Sequence, residues 1–163
     1  MNSSHYIIDA SSLIELNRHN PMDIYPGVWK KMAGLIKSNR LVAPKEVFNE
    51  INQGDDLLFN WVKNQTKMFL EPTQKQIDIV KKILERYPSL IKVDRTYDAD
   101  PWVIALAIEL TENPQKTLVT IKRIVVTEEK ERGNKINIPF VCNNYEIESI
   151  DILDMFRIEG WKF

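Results

Sequence analysis

Cysteine, net charge and long apolar runs are all scarce in this chain, and each scarcity excludes a class of protein. Cys142 is the single cysteine among 163 residues, which excludes an intrachain disulfide and leads us to expect a cytoplasmic protein. The formal net charge of −1 restricts any nucleic-acid binding to a local patch. No apolar run approaches the length of a membrane span, so no membrane association is expected. The N-terminal stretch "MNSSHYIIDA" lacks the basic and apolar regions of a signal peptide.

Internal repeats, low-complexity tracts and linkers rich in glycine and serine are also absent from the sequence. Hydrophobic residues make up 44% and charged residues 28% of the chain, which are the proportions of an ordinary globular protein. A chain of 163 residues can bury one substantial core, so we expect one domain.

Short apolar strands alternate with amphipathic helices along the sequence. Tyr6–Asp9 is the first predicted strand, and further strands are predicted at "RLVAP", "TLVTIKRIVVT" and "IESID". In the clearest helix, "TQKQIDIVKKILERY", Thr73 is the expected N-cap. The helix "DPWVIALAIELT" is expected to have Asp100 as its N-cap and Pro101 at its first position. Other helices are predicted at "VWKKMAGLIKSN", "KEVFNEIN" and "DLLFNWVKNQTKMF". This alternation predicts an α/β fold with a mainly parallel sheet.

Acidic residues follow two of the predicted strands directly. Sites in open parallel sheets form beyond the carboxyl ends of the strands, which is where Asp9 stands after the first strand. The later stretch "IVVTEEK" runs into Thr127, Glu128 and Glu129. Because side chains alternate along a strand, Thr127 and Glu129 should share one direction and Glu128 should take the other. We therefore expect Glu129 in a site with Asp9, beside the Thr127 hydroxyl.

Two further acids are associated with helices. Glu50 lies at the border of the apolar face of the "KEVFNEI" helix, whereas Glu46 points further toward solvent. Asp100 starts the "DPWVIALA" helix, beside backbone N–H groups that have no partner within the helix. Each acid also has a simpler explanation, because Asp is a favoured N-cap and most glutamates are solvated. The prediction of a site therefore depends on the combination of these acids and on their order.

In this order, the four segments resemble those of PIN domains, a family of Mg²⁺- or Mn²⁺-dependent ribonucleases. "YIIDASSLIEL" is similar to an opening strand that ends in Asp, and "LVAPKEVFNEI" to an acidic helix that follows a strand and a proline. "DADPWVIALA" is similar to an Asp before a helix rich in Ile and Ala, and "VVTEEK" to a strand that leads into Thr-x-acid. The segments "ADPWVIA", "VVTEEK", "IPFVC" and "EGWKF" resemble those of a subgroup of uncharacterised prokaryotic PIN proteins.

The resemblance implies one PIN-like domain over residues 1–163, built as a three-layer α/β/α sandwich with a mainly parallel central sheet. It also implies a metal-dependent endoribonuclease with RNA as its substrate. Some PIN relatives are toxins of toxin–antitoxin pairs. Whether this chain is such a toxin with an antitoxin partner, and whether it forms a homodimer, stays open at this point.

The resemblance also implies a role for particular residues. The metal-ligating and catalytic residues would be Asp9, Glu50, Asp100 and Glu129, with Mg²⁺ or Mn²⁺ as the cofactor and either one ion or two. The hydroxyls of Ser11 and Thr127 would support them. Possible RNA contacts come from the loop "EEKERGNK", which follows the last acid and contains Lys130, Arg132 and Lys135.

Two departures from the family pattern leave alternatives open. The fourth acidic position usually carries Asp, often in a Thr-x-Asp pattern, but this chain has Glu129 there. That difference favours the alternative function, a non-catalytic PIN-like binding or regulatory protein with a degraded metal site. The segment "DRTYDADP" offers Asp94, Asp98 and Asp100 for the third acidic position, of which Asp100 is the better match.

Overall fold

The structure, a computed structural model, describes residues 2–54, 56–91, 98–112 and 120–163. The strands in these residues are β1 (Asn2–Ile8), β2 (Leu41–Pro44), β3 (Phe69–Leu70), β4 (Thr120–Val126) and β5 (Glu148–Ile150). The α-helices are α1 (Ala10–His19), α2 (Pro26–Lys37), α3 (Lys45–Ile51), α4 (Asp56–Lys63), α5 (Gln74–Arg86), α6 (Asp100–Glu112), α7 (Ile138–Asn144) and α8 (Ile152–Glu159). Pro88–Leu90 forms a 3₁₀ turn.

All five strands join one parallel sheet in the order β3-β2-β1-β4-β5. The chain builds outward from β1 to β3 on one side, and then returns to build β4 and β5 on the other. Right-handed crossovers therefore place α1 to α4 on one face of the sheet and α5 to α7 on the other. The packing agrees, since α1 contacts α3 and α4, whereas α6 contacts α5 and α7. The predicted three-layer α/β/α sandwich with a mainly parallel sheet is confirmed.

The carboxyl-terminal halves of β1 and β4 are deeply buried side by side. In β1, Tyr6, Ile7 and Ile8 are fully buried, and the last three residues of β4 are buried beside them. Such continuous apolar runs are typical of parallel strands that helices cover on both faces. Ile8 pairs with Val126, so both strands end at the same level.

One predicted helix proved to be a helix followed by an edge strand. The stretch "DLLFNWVKNQTKMF" forms α4 only as far as Lys63, and its last part leads into β3. There the Ala43 N–H donates to the Met68 carbonyl at 2.9 Å, which adds β3 to the exposed edge of β2. Thr73 is confirmed as the N-cap of α5, because its hydroxyl accepts from the Gln76 N–H at 3.1 Å. Among the helices that the structure describes, none combines the length and apolar character that a membrane crossing requires.

A charged hydrogen-bond network connects α8 to β1 and to the start of β2. Arg40 donates to both carboxylate oxygens of Glu159, at 2.8 and 2.6 Å, and the Tyr6 hydroxyl donates to the same carboxylate at 2.6 Å. Burial by itself raises the pKa of Glu159, but the hydrogen bonds from Arg40 and Tyr6 outweigh it and hold the pKa below its ordinary value. The network therefore fixes α8 against the sheet.

Replacing Glu159 by Gln should lower the free energy of unfolding by about 2 kcal/mol at neutral pH, because Arg40 and Tyr6 lose a charged acceptor. The pKa of Glu159 is lower in the folded chain than in the unfolded chain. The contribution of Glu159 to the free energy of unfolding is therefore complete when the pH is above 4.5, the ordinary pKa of a glutamate. That contribution is lost as the pH falls through the lower pKa of the folded chain. Urea denaturation at neutral and acidic pH measures the difference, with the exposed Glu71→Gln as control. A difference between wild type and E159Q that stays constant in acid would contradict this prediction.

Candidate metal centre

The carboxyl ends of β1 and β4 lie side by side at the point where the sheet changes its building direction. Parallel α/β sheets open a crevice at such a switch point, because the connections on either side leave toward opposite faces. The Asp9 N–H donates to the Val126 carbonyl at 2.8 Å, and Thr127 follows Val126 directly. The first strand-end acid and the Thr-x-acid segment therefore meet in this crevice.

Asp9 both caps α1 and contributes a carboxylate to the crevice. Its Oδ1 accepts from the Ala10 N–H at 2.8 Å, and its Oδ2 accepts from the hydroxyls of Ser11 at 2.7 Å and Thr127 at 3.0 Å. Burial raises the pKa of Asp9, the hydrogen bond from Ser11 opposes that rise, and the nearby Glu129 carboxylate adds to it. A cation in the crevice would offset both causes of the rise.

The hydroxyls of Ser11 and Thr127 connect the turn after β4 to the first turn of α1. Ser11 Oγ accepts from the Glu128 N–H at 3.0 Å, and Thr127 Oγ1 accepts from the Glu129 N–H at 3.2 Å. Each hydroxyl therefore accepts a hydrogen bond from a backbone N–H of the turn and donates one to Asp9 Oδ2. Both predicted supporting residues lie beside Asp9, where they orient its Oδ2.

Glu128 and Glu129 have different partners, as the predicted alternation requires. Glu128 Oε2 accepts from the Ser12 hydroxyl at 2.9 Å and from the Ile152 N–H at 3.2 Å, so this carboxylate joins α1 to the start of α8. Glu129 Oε2 accepts from the Ile138 N–H at 2.9 Å, at the start of α7. The two glutamates therefore hold two different helix starts against the end of β4.

Glu50 and Asp98 organise the start of α6. Glu50 Oε1 accepts from the Ala99 N–H at 2.7 Å, and Asp98 Oδ1 accepts from the Asp100 N–H at 3.2 Å. The helix begins at Asp100 itself, so the prediction of Asp100 as N-cap was wrong by one position. The reason is that the Ala99 carbonyl already accepts from the Val103 N–H. Asp94, the remaining acid of this segment, lies outside the described residues.

The predicted acids come together in two overlapping clusters. Asp9, Asp100 and Glu129 each offer a carboxylate oxygen, and these oxygens lie within 4.8 Å of one another. Glu50, Asp98 and Asp100 form a second group with the same limit. Asp100, which is only 2% exposed, belongs to both clusters. Asp98 and Asp100 can therefore both belong to the site.

The chemistry of this donor set fits a hard divalent cation. All the clustered side chains offer carboxylate oxygens, which are the ligands that such ions prefer. Asp9 and Asp100 are buried, and burying several carboxylates together is costly unless positive charge compensates them. Cys142 is not suited to join them as a thiolate, because burial, followed by the charges of Glu129 and Asp9, raises the pKa of its thiol to about 12.

The predicted RNA-contact loop lines a cavity beside the clusters. This cavity, of about 250 Å³, has Arg132 and Lys135 in its wall together with Asp100 and Glu129. Lys130 also lines it, but its Nζ lies 2.8 Å from Asp151 Oδ2 in an exposed ion pair. Positive side chains therefore stand next to the acidic clusters, as the loop's position after β4 suggested.

Three polar residues of this region were not predicted from the sequence. Ser12 and Glu128 are linked across 116 positions of the chain, which local patterns do not encode. Asn137 caps α7 through the Phe140 N–H and also donates to the Lys130 carbonyl at 2.8 Å. The "NIP" stretch carried a signal for this cap, because Asn is a favoured N-cap and proline is favoured in the first helical turn.

Comparisons with known proteins agree with the fold. No curated protein shows a significant match to this chain. Among solved structures, a chain of VapBC-1 from nontypeable Haemophilus influenzae is similar, with a TM-score of 0.50 and 14% sequence identity. The similarity covers 90% of this chain and 96% of the VapBC-1 chain, and at this identity it concerns the fold alone. The model of a family described as "Domain of unknown function (DUF4411)" matches residues 6–163. Since this match covers nearly the whole chain, the chain belongs to the DUF4411 family.

Proposed function

We propose that this protein is a metal-dependent endoribonuclease that hydrolyses phosphodiester bonds of RNA. The observation that carries the proposal is the pair of overlapping carboxylate clusters at the switch point of the sheet, with Asp100 in both. The order of the acids along the chain, which resembles that of PIN domains, supports it. The likeness of the fold to the VapBC-1 chain is consistent with the same assignment.

Asp9, Glu50, Asp100 and Glu129 would hold Mg²⁺ or Mn²⁺, and Asp98 is close enough to Asp100 to join them. When bound, such an ion lowers the pKa of an attacking water and neutralises charge that develops on the phosphate. Two clusters that share one carboxylate would suit two neighbouring ions, the arrangement found in many phosphodiesterases.

The surrounding side chains keep these carboxylates in position. Ser11 and Thr127 donate to Asp9 Oδ2, which favours the ionised form of that carboxylate despite its burial. Glu50 accepts from the Ala99 N–H and thereby fixes the start of α6, from which Asp100 projects. Loss of contacts that orient a ligand typically lowers metal affinity or activity by about 10- to 100-fold.

RNA binding would begin at the basic loop. Arg132 and Lys135 share a cavity with Asp100 and Glu129, so they would hold phosphate groups next to the clusters. Lys130 would contribute after exchanging its partner Asp151 for a phosphate. In a chain of net charge −1, these three side chains would supply the local positive charge that the proposed substrate needs.

The PIN resemblance suggests, in addition, an antitoxin protein as a partner and a second copy of the chain. A neighbouring gene that encodes a small DNA-binding protein, together with copurification of its product, would support the toxin role. The mass of the purified protein in solution would test the homodimer.

The experiment that tests the proposed activity is cleavage of a labelled single-stranded RNA by the purified protein. Cleavage should require Mn²⁺ or Mg²⁺, stop when EDTA is added and resume when the ion is restored. The absence of cleavage with either ion, or cleavage that persists in EDTA, would contradict the proposal.

A further inference from the structure

A groove between α1 and α8 opens directly onto the acidic clusters. Its volume is about 560 Å³, which lies within the range of sites for small ligands. Ser11, Glu128 and Glu129 form its inner end. His19, the last residue of α1, lines the groove eight residues beyond Ser11, which corresponds to about 12 Å at the helical rise per residue. The groove therefore follows most of the length of α1, which is long enough for a nucleoside that starts at the site.

The wall and the far end of this groove differ in polarity. Leu16 and Ile152 are buried beneath the surface, and Leu153 is 53% exposed, so the wall is apolar. At the far end, His19 Nε2 lies 3.0 Å from Glu15 Oε2. A nucleobase has the same distribution of character, with apolar faces and a polar edge.

We infer that this groove receives one base of a single-stranded RNA whose neighbouring phosphate lies at the acidic clusters. The inference rests on the proposed function and defines its substrate further. The groove and the cavity of about 250 Å³ that contains Arg132 and Lys135 both include Glu128 and Glu129 in their walls. A strand held by Arg132 and Lys135 therefore reaches the groove by crossing Glu129. A base that is paired and stacked in a duplex cannot enter such a groove, so an unpaired strand is required.

The experiment measures binding of a fluorescent single-stranded RNA to the Asp9→Asn variant, which is expected not to cleave it. In this background, Leu153→Glu should raise the Kd about tenfold, the order of effect expected when contact with one base is lost. Ile158→Glu is the matched control, because Ile158 is exposed on the same helix (47%, against 53% for Leu153) and does not line the groove among the described residues. The control should change the Kd less than about twofold.

Two further measurements separate loss of a base contact from charge repulsion. Leu153→Lys should also weaken binding, whereas pure electrostatics would strengthen it. Removing the base next to the cleaved bond should weaken binding to the Asp9→Asn protein but have no added effect in the Leu153→Glu variant. Equal effects of Leu153→Glu and Ile158→Glu, tighter binding with Leu153→Lys, or additive effects of the abasic site would each overturn the inference alone. If the Asp9→Asn protein binds no RNA and the wild type cleaves none, both the inference about the groove and the proposed function are wrong.

Discussion

Replacing Asp9 by Asn should reduce metal-dependent RNA cleavage about a thousandfold, the scale on which metal and electrostatic stabilisation act in phosphoryl transfer. Asn retains an oxygen for the Ala10 N–H and is as good an N-cap as Asp, so α1 should stay intact. What is lost is the negative charge that Ser11 and Thr127 orient in the crevice. Cleavage rates of the two proteins under saturating Mn²⁺ measure the effect, and equal rates would refute the assignment of Asp9.

A folding measurement shows whether that loss is chemical or structural. In EDTA, the Asp9→Asn variant should melt at the same temperature as the wild type or above it. The reason is that burial and the neighbouring Glu129 disfavour the Asp9 charge in the metal-free protein, and Asn removes this cost. A variant that melts well below the wild type in EDTA would instead identify Asp9 as mainly a structural cap.

Replacing Glu129 by Gln should weaken Mn²⁺ binding and lower the cleavage rate, each by about a hundredfold. Gln keeps the side-chain length and an oxygen for the Ile138 N–H, so the start of α7 is preserved. The charge that lies within 4.8 Å of Asp9 and Asp100 is removed. Titration calorimetry with Mn²⁺ and the RNA cleavage assay measure the two effects, and Glu131→Gln in the same exposed loop is the matched control.

The same experiment separates the enzyme from a non-catalytic protein with a degraded site. If Glu129 only anchors α7, the Glu129→Gln variant will bind Mn²⁺ as tightly as the wild type does. That result would support the non-catalytic protein with a degraded metal site. Glu129→Asp adds a second test. It keeps the charge but shortens the side chain, so it should retain more metal affinity than Glu129→Gln if charge is what the site requires. The present geometry favours the complete site, because the longer Glu side chain reaches both the cluster and the Ile138 N–H.

The positions of the acids could be predicted because strand ends are visible in the sequence. Apolar β-branched runs precede both Asp9 and Thr127, and parallel pairing brings their carboxyl ends to one edge of the sheet. Glu50 was predictable from its place on a helical face next to the apolar residues. In each case the local pattern indicated the side-chain direction, and the parallel topology brought the acids to the same edge of the sheet.

The parts that could not be predicted depend on contacts between distant segments. The sequence offered Asp98 only as an alternative to Asp100, yet both lie in the second cluster, where Glu50 of another helix accepts from the Ala99 N–H between them. The short strand β3 was hidden within a predicted helix, since its two residues form a strand only by pairing with the edge of β2. Glu128 was assigned away from the site but proved to join α1 to α8. None of these interactions leaves a periodic trace in the sequence.

The second cluster takes its residues from both helical layers of the sandwich, and this affects the stability of the whole molecule. Glu50 projects from α3 on one side of the sheet, whereas Asp98 and Asp100 belong to the start of α6 on the other. An ion shared by these side chains would cross-link the outer layers of the sandwich through its centre. Its binding energy would then add to the cohesion of the layers, so that thermal unfolding would shift upward with metal concentration. Metal occupancy would therefore determine how readily the two helical layers separate.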